Sequence, residues 1–137
     1  MLSSLAQPKI LALLVLFAGT TLFTWNMLKP TGGGTKVSVS VPELSEAGAQ
    51  GKQLFDGNCA KCHGTNASGT DHGPPLVHRI YEPNHHGDMS FQLAVRNGVR
   101  AHHWRYGNMA PVSGVTDEDV GKITRYVREL QKANGVF

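Results

Sequence analysis

The sequence predicts an all-α protein, in which a single N-terminal transmembrane helix precedes a small helical domain. Three segments support this prediction: an uncharged run from Ile10 to Leu28, the stretch "SEAGAQGKQLFDGN" before a pair of cysteines, and the amphipathic stretch "TDEDVGKITRYVRELQ" near the C-terminus. We expect a membrane anchor over residues 1–28, a flexible linker over 29–45 and the helical domain over 46–137.

The uncharged N-terminal run has the length of a membrane span. It contains 19 residues, and about 20 cross the hydrocarbon core of a bilayer as a helix. Trp25 lies near its outer end, where an indole suits the membrane interface. Two alternatives remain: a cleaved signal peptide with its apolar region over residues 10–17, and a buried core helix. Apolar residues resume after Thr21, which favours a retained anchor whose partner is the lipid bilayer.

The segment that follows, "KPTGGGTKVSVSVPELS", is typical of a linker. "TGGGT" is flexible by composition, whereas "VSVSV" alternates like a short strand. As a flexible coil, 17 residues reach about 20–25 Å, which would keep the domain close to the membrane. The alternative is that "VSVSV" packs on the domain and shortens the tether.

Three helices are predicted in the domain. The last has Thr116 as its N-cap and three acidic residues in its first turn, where the helix dipole favours negative charge. A shorter helix over "SFQLAVRNGV" is capped by Ser90 and ends at Asn97-Gly98. In the first helix, Gly51 is costly unless another helix approaches it closely. The apolar stripe of the last helix consists of Val120, Ile123, Val127 and Leu130, flanked by Tyr126.

Both cysteines of the chain lie in "NCAKCHG". A redox dithiol belongs after a buried strand, and no strand is predicted before Cys59. A closed zinc site needs four ligands, and the histidines show no clean His-x3–5-His spacing. Cys59, Cys62 and His63 match the c-type haem attachment pattern directly. Two thiols add to the two vinyl groups of one haem, and the adjacent imidazole becomes the proximal iron ligand.

Thioether attachment and charge restrict where the protein works and what it binds. Haem is ligated outside the cytoplasm, so we expect a single-pass protein of a bacterial inner membrane with its haem domain in the periplasm. The net charge is +3 for the whole chain but only +1 over residues 46–137, where ten basic residues face nine acidic ones. A net charge this close to zero does not favour nucleic-acid binding.

Residues 46–137 resemble the class I cytochromes c, small monohaem electron carriers, and the N-terminal third resembles membrane-tethered bacterial members of that family. The resemblance implies one covalent haem c in a helical fold. In the family, a proline carbonyl accepts a hydrogen bond from the proximal histidine, and Pro74 matches that proline; alternatively, Pro74 and Pro75 only stiffen a turn. The resemblance is carried by Gly51 and Phe55, Cys59-x-x-Cys62-His63, Gly73-Pro74-Pro75-Leu76, Met109 and Tyr126.

The family also implies a methionine as the second axial ligand, opposite His63. Met109 lies in a Gly- and Pro-rich loop before the last helix, although Ala110 separates it from Pro111, where the family has Met-Pro. Met89 is the other methionine of the domain. It lies at the start of the shorter helix, and we expect it to pack in the core. A histidine remains the third candidate.

Six further histidines lie in the loops. We expect them to be solvated, because their spacing matches no metal-ligand pattern. The alternatives are contacts to the haem propionates, made by residues of the "HHWR" stretch, or a second metal site. The six are His72, His78, His85, His86, His102 and His103, and the "HHWR" stretch adds Trp104 and Arg105.

The predicted function is electron transfer by Fe(II)/Fe(III) cycling, with no substrate bond changed. A thioether ligand would raise the potential and close the sixth iron position, which argues against an enzyme. Expected partners are a quinol–cytochrome c reductase and a terminal oxidase, or another periplasmic oxidoreductase. The alternative is a haem-based gas or peroxide sensor, or a small redox enzyme, with an open sixth position.

Overall fold

The computed structural model describes residues 8–28 and 34–137, with side chains from residue 10 to 25 and from residue 34 onward. The chain divides into two compact units, which separate after Gly33. Residues 1–7 of the predicted anchor and residues 29–33 of the predicted linker lie outside the described residues.

The first unit contains helix α1, Pro8–Leu28. Its described apolar side chains beyond Ile10 are exposed, among them Leu14, Phe17 and Trp25. The hydroxyls of Thr20, Thr21 and Thr24 donate to carbonyl oxygens one turn earlier in the helix, at 2.9–3.0 Å. Within the described part of the chain, no helix meets both the length and the hydropathy needed to span a membrane.

The second unit is helical, as predicted. It contains α2 (Glu46–Asn58), α3 (Ala60–His63), α4 (Asp88–Asn97) and α5 (Asp117–Ala133). Short 3-10 turns cover Thr65–Ala67 and Arg79–Tyr81. In the described residues, β-structure is limited to one isolated antiparallel bridge between Val99 and Met109.

The core of the unit lies where α2 crosses α5. The rings of Phe55 and Tyr126 meet edge to face with centroids 5.5 Å apart, and both side chains are fully buried. A Cβ atom on Gly51 would lie within 3.0 Å of the carbonyl of Lys122. The predicted close approach of a second helix to Gly51 is therefore confirmed.

The helix ends match the sequence prediction at α5 and differ at α4. Thr116 caps α5 in a reciprocal capping box, because its hydroxyl accepts from the Asp119 amide while the Asp119 carboxylate accepts from the Thr116 amide. Helix α4 begins at Asp88 with Gly87 at the N-cap, three residues before the predicted cap, Ser90. The Ser90 hydroxyl instead donates to the carbonyl of Gly87 from inside the first turn, at 2.7 Å.

Residues 34–45 differ from the predicted flexible linker. They form neither helix nor strand, but they belong to the second unit, which begins at Gly34, and pack on the rest of it. Val37 donates to the carbonyl of Ser68 at 2.9 Å, and the Ser40 amide donates to the side chain of Asn134 at 2.9 Å. The alternating valines of "VSVSV" pack on the core through Val37 and Val39, although no strand pairs with this segment in the described residues.

Candidate functional site

The cysteine motif lies at the junction of α2 and α3. The Cys59 amide donates to the Phe55 carbonyl at 2.8 Å, which closes the last turn of α2. The His63 amide then donates to the Cys59 carbonyl at 2.9 Å. This single turn carries Cys59, Cys62 and His63 together, and it follows directly on α2, which is anchored in the core through Phe55.

Both thiols are free, with Cys59 partly buried and Cys62 exposed. Burial, and then the negative charge of Cys62, raises the pKa of Cys59 to about 11. A redox-active dithiol needs a thiolate with a lowered pKa. The raised pKa of Cys59 is thus opposite to what the nucleophilic cysteine of a dithiol catalyst needs.

The imidazole of His63 is held by the backbone. Its Nδ1 lies 2.9 Å from the carbonyl oxygen of Pro74. Nδ1 carries the proton and donates, which leaves the lone pair on Nε2. Burial lowers the pKa of His63, and the hydrogen bond to Pro74 opposes that shift. A neutral ring with a defined tautomer is the form in which histidine binds a metal.

Pro74 is positioned by a tight turn against the motif. The Thr70 amide donates to the carbonyl of Gly73 at 3.0 Å, and the Thr70 hydroxyl donates to the carbonyl of Cys62. A Cβ atom on Gly73 would lie 2.8 Å from that same Cys62 carbonyl oxygen. The prediction that Pro74 faces the histidine ring agrees with this geometry, and the turn also stiffens the loop.

Met109 is fixed at its backbone. It exchanges two hydrogen bonds with Val99, both 2.9 Å long, and its side chain is half-buried. Gly98, with φ +73°, lies against it, because a Cβ atom there would be 2.5 Å from the Met109 carbonyl oxygen.

Met89, predicted to pack in the core, is instead 67% exposed in the first turn of α4. That prediction was wrong, because α4 begins early enough to turn Met89 outward.

Trp104 has an indole Nε1 that is buried and has no hydrogen-bond partner among the described residues. Its ring contacts those of His78 and Tyr106, with centroid distances of 5.1 and 6.1 Å. A buried donor without an acceptor is costly. The indole also acts on the Tyr81 hydroxyl, whose pKa it lowers against the larger, opposite effect of burial, so an acidic group of a bound ligand would compete with Tyr81 for this N–H.

The structure separates the six further histidines into two sets. His72 is exposed and lies apart in the turn after Thr70, and His78 accepts from the Ile80 amide at 3.2 Å. The remaining four cluster where the loop before α4 meets the loop after it. The cluster consists of His85, His86, His102 and His103, with neighbouring ring centroids 4.3–6.1 Å apart. Sequence spacing did not predict this arrangement, since the two pairs are distant along the chain.

Comparison with known families gives one clear result. The profile of the family described as cytochrome c matches residues 48–131. This range begins in α2, contains the cysteine motif and the Met109 loop, and ends in α5.

Two curated relatives match stretches of different length. The cbb3-type cytochrome c oxidase subunit CcoP of Rubrivivax gelatinosus is 34% identical over 92 residues, which is 64% of this chain and 27% of that protein. The cytochrome bc1 complex cytochrome c subunit of Mycobacterium leprae is 44% identical over 52 residues, 37% of this chain and 17% of that protein. The matched region thus spans about a quarter or less of these relatives. No solved structure matches the chain significantly.

Proposed function

We propose that this chain, which belongs to the cytochrome c family, carries single electrons between membrane-bound respiratory partners. The observation that carries the proposal is the pairing of the His63 Nδ1 with the Pro74 carbonyl, directly beside two free thiols. This set offers two points of covalent attachment and one oriented imidazole.

The cytochrome c family binds covalently attached haem c, and the residues present fit that group. Cys59 and Cys62 would form the thioether links, and the Nε2 of His63 would face the iron. The buried indole N–H of Trp104 would be a donor for a haem propionate. When bound, the haem supplies a reversible one-electron change at its iron.

The chain's own residues tune that change. The Pro74 carbonyl holds the His63 ring and raises its basicity. Met109 is the proposed second axial ligand, and its backbone is restrained by Val99 and by the close packing of Gly98. A thioether ligand favours a high potential and leaves no open position for substrate. An electron carrier, and not an enzyme, is the function that this ligand pair suits.

The proposal includes a membrane tether. Helix α1 has the length of a membrane span, and its threonine hydroxyls are satisfied by its own carbonyls, so they require no water. Haem is ligated outside the cytoplasm, which would place the second unit on the periplasmic side of a bacterial inner membrane. After disruption of the cells, extraction by detergent but not by alkaline carbonate supports the tether, whereas release by carbonate contradicts it.

The proposed partners follow from the relatives. One is named as a subunit of a cbb3-type oxidase and another as a subunit of a bc1 complex. A quinol-oxidising complex as electron donor and a terminal oxidase as electron acceptor are therefore the proposed partners.

The axial pair is tested by comparing Met109→Ala with Met89→Ala. In the oxidised wild type we expect the weak long-wavelength band of iron–thioether ligation, and in Met109→Ala its loss together with a lower midpoint potential. Met89→Ala removes an exposed methionine from the same unit and should change neither reading. An unchanged spectrum and potential in Met109→Ala would refute the assignment, and rapid carbon monoxide binding by reduced wild type would favour a haem sensor.

A further inference from the structure

Two loops bring three histidines to one point on the surface of the second unit. His85 and His86 lie between the Arg79–Tyr81 turn and α4, and His103 lies beyond α4. One ring nitrogen from each lies within 4.8 Å of the others. None of the three belongs to the motif that the family uses.

The closest pair has the spacing of two ligands on one metal ion. The Nε2 atoms of His85 and His103 are 3.2 Å apart. Two nitrogens at about 2.0–2.1 Å from a tetrahedral ion are separated by roughly 3.3–3.4 Å. The two rings therefore need almost no movement to share an ion.

The third ring has its tautomer set by the backbone. The Nδ1 of His86 lies 2.6 Å from the Ile80 carbonyl oxygen, so it donates, and the lone pair is on Nε2. A carbonyl behind a ligating histidine is the usual arrangement that orients the ring and raises its basicity. His102 is held similarly, with its Nδ1 2.8 Å from the Arg100 carbonyl oxygen.

The loop that carries His86 is tied to α5. Arg128 donates to the carbonyls of His86 and Tyr81, and its Nε donates to Asp88 at 2.8 Å. These bonds restrain the loop on both sides of the paired histidines, which reduces the conformational entropy lost when a ligand orders them.

We propose that His85, His86 and His103 form a site for a divalent transition-metal ion of the class that prefers imidazole, with Zn²⁺ as its representative. Each ring binds in its neutral form through one nitrogen, with its proton on the other. On binding, the hydrogen bond between His85 and His103 is replaced by two bonds to the ion, and the ring that donated it releases its Nε2 proton to water and takes one up on Nδ1. Three ligands leave a further position for water or for the adjacent His102.

Electrostatics support the neutral form. Burial lowers the pKa of His86, the hydrogen bond to the Ile80 carbonyl opposes that shift, and repulsion from neighbouring basic groups, Arg128 among them, adds to the lowering. Desolvation and the other clustered histidines lower the pKa of His103. Rings that resist protonation remain available to a metal near neutral pH.

The test uses the full-length holoprotein in detergent, dialysed against buffered Zn²⁺, with bound zinc measured by atomic absorption. We expect one equivalent per chain, and in His103→Gln an affinity at least about tenfold lower. His72→Gln removes an exposed histidine outside the cluster and is the matched control, with unchanged affinity expected. His85→Gln should weaken binding as His103→Gln does, and an intact haem spectrum shows that each variant is folded.

Zinc-edge X-ray absorption of the loaded protein should show three or more nitrogen neighbours at about 2.0–2.1 Å. The proposal is overturned by an absence of saturable zinc binding, or by equal affinities of wild type and His103→Gln. It is also overturned if His103→Gln shifts the haem potential while zinc affinity is unchanged, because the cluster would then serve the haem propionates.

Discussion

Gly51→Ala tests how closely α2 and α5 approach each other. The added Cβ atom would lie within 3.0 Å of both the carbonyl carbon and the carbonyl oxygen of Lys122, and 3.1 Å from the amide nitrogen of Ile123. These neighbours are backbone atoms of a packed helix, so no rotamer change relieves the overlap. Overpacking of this kind costs about 1–3 kcal/mol, and alanine returns up to about 1 kcal/mol through its helix propensity.

Because backbone atoms must move, the cost of overpacking should lie at the upper end of that range. After the gain in helix propensity is subtracted, the free energy of unfolding should decrease by roughly 2 kcal/mol. The assay is guanidinium unfolding of the full-length holoprotein, followed by far-ultraviolet circular dichroism. Gly121→Ala is the matched control, since a Cβ there meets nothing within 4 Å; it should stabilise by up to about 1 kcal/mol. If Gly51→Ala is as stable as wild type or more so, the close packing of the two helices is refuted.

Two further substitutions test the packing around the site. Burial, and then the charge of Asp56, raises the pKa of Tyr126 to about 12, so the unfolded chain ionises before the folded one and stability should fall as pH rises from about 10 to 12. Tyr126→Phe should make that fall shallower, leaving the part due to Tyr81, whose pKa burial also raises. By losing its bond to Asn66, it should cost about 1 kcal/mol at pH 7; an unchanged slope in urea unfolding contradicts this. Arg128→Lys should cost about 1.5–3 kcal/mol in thermal or urea unfolding, because a lysine cannot serve Asp88 and the Tyr81 carbonyl together. The control Arg125→Lys changes an exposed pair and should cost under about 1 kcal/mol; equal losses would rule out a special role for Arg128.

Local features were predictable from the sequence. Thr116 followed by Asp119 forms the N-cap of α5 through atoms three residues apart, and the same holds for the one turn that carries Cys59, Cys62 and His63. Gly51 also gave a correct signal, since a glycine inside a helix is costly without a close neighbour. Each of these conclusions depends on spacing within a few residues, where helix geometry alone sets which groups meet.

Features that depend on distant segments were not predictable. Met89 was expected in the core and is exposed, because the N-cap of α4 is Gly87, three residues before the predicted cap, which places Met89 in the first turn of the helix. Residues 34–45 were expected to be flexible, yet their amides find acceptors on Ser68 and Asn134. Composition indicates that such a segment lacks regular structure but carries no information about which surface it covers.

By itself, the sequence determined the helical class, the covalent attachment motif and the histidine beside it, because periodicity, capping and ligand spacing are properties of neighbouring residues. The family resemblance implied that the Pro74 carbonyl accepts from His63, and the structure has these atoms 2.9 Å apart. Only the tertiary structure decided that residues 34–45 pack on Ser68 and Asn134 and that His103 joins His85 and His86. Those contacts arise when loops close against the α2–α5 core. The direction in which a loop closes is set by the packing of the whole unit and not by any short stretch of residues.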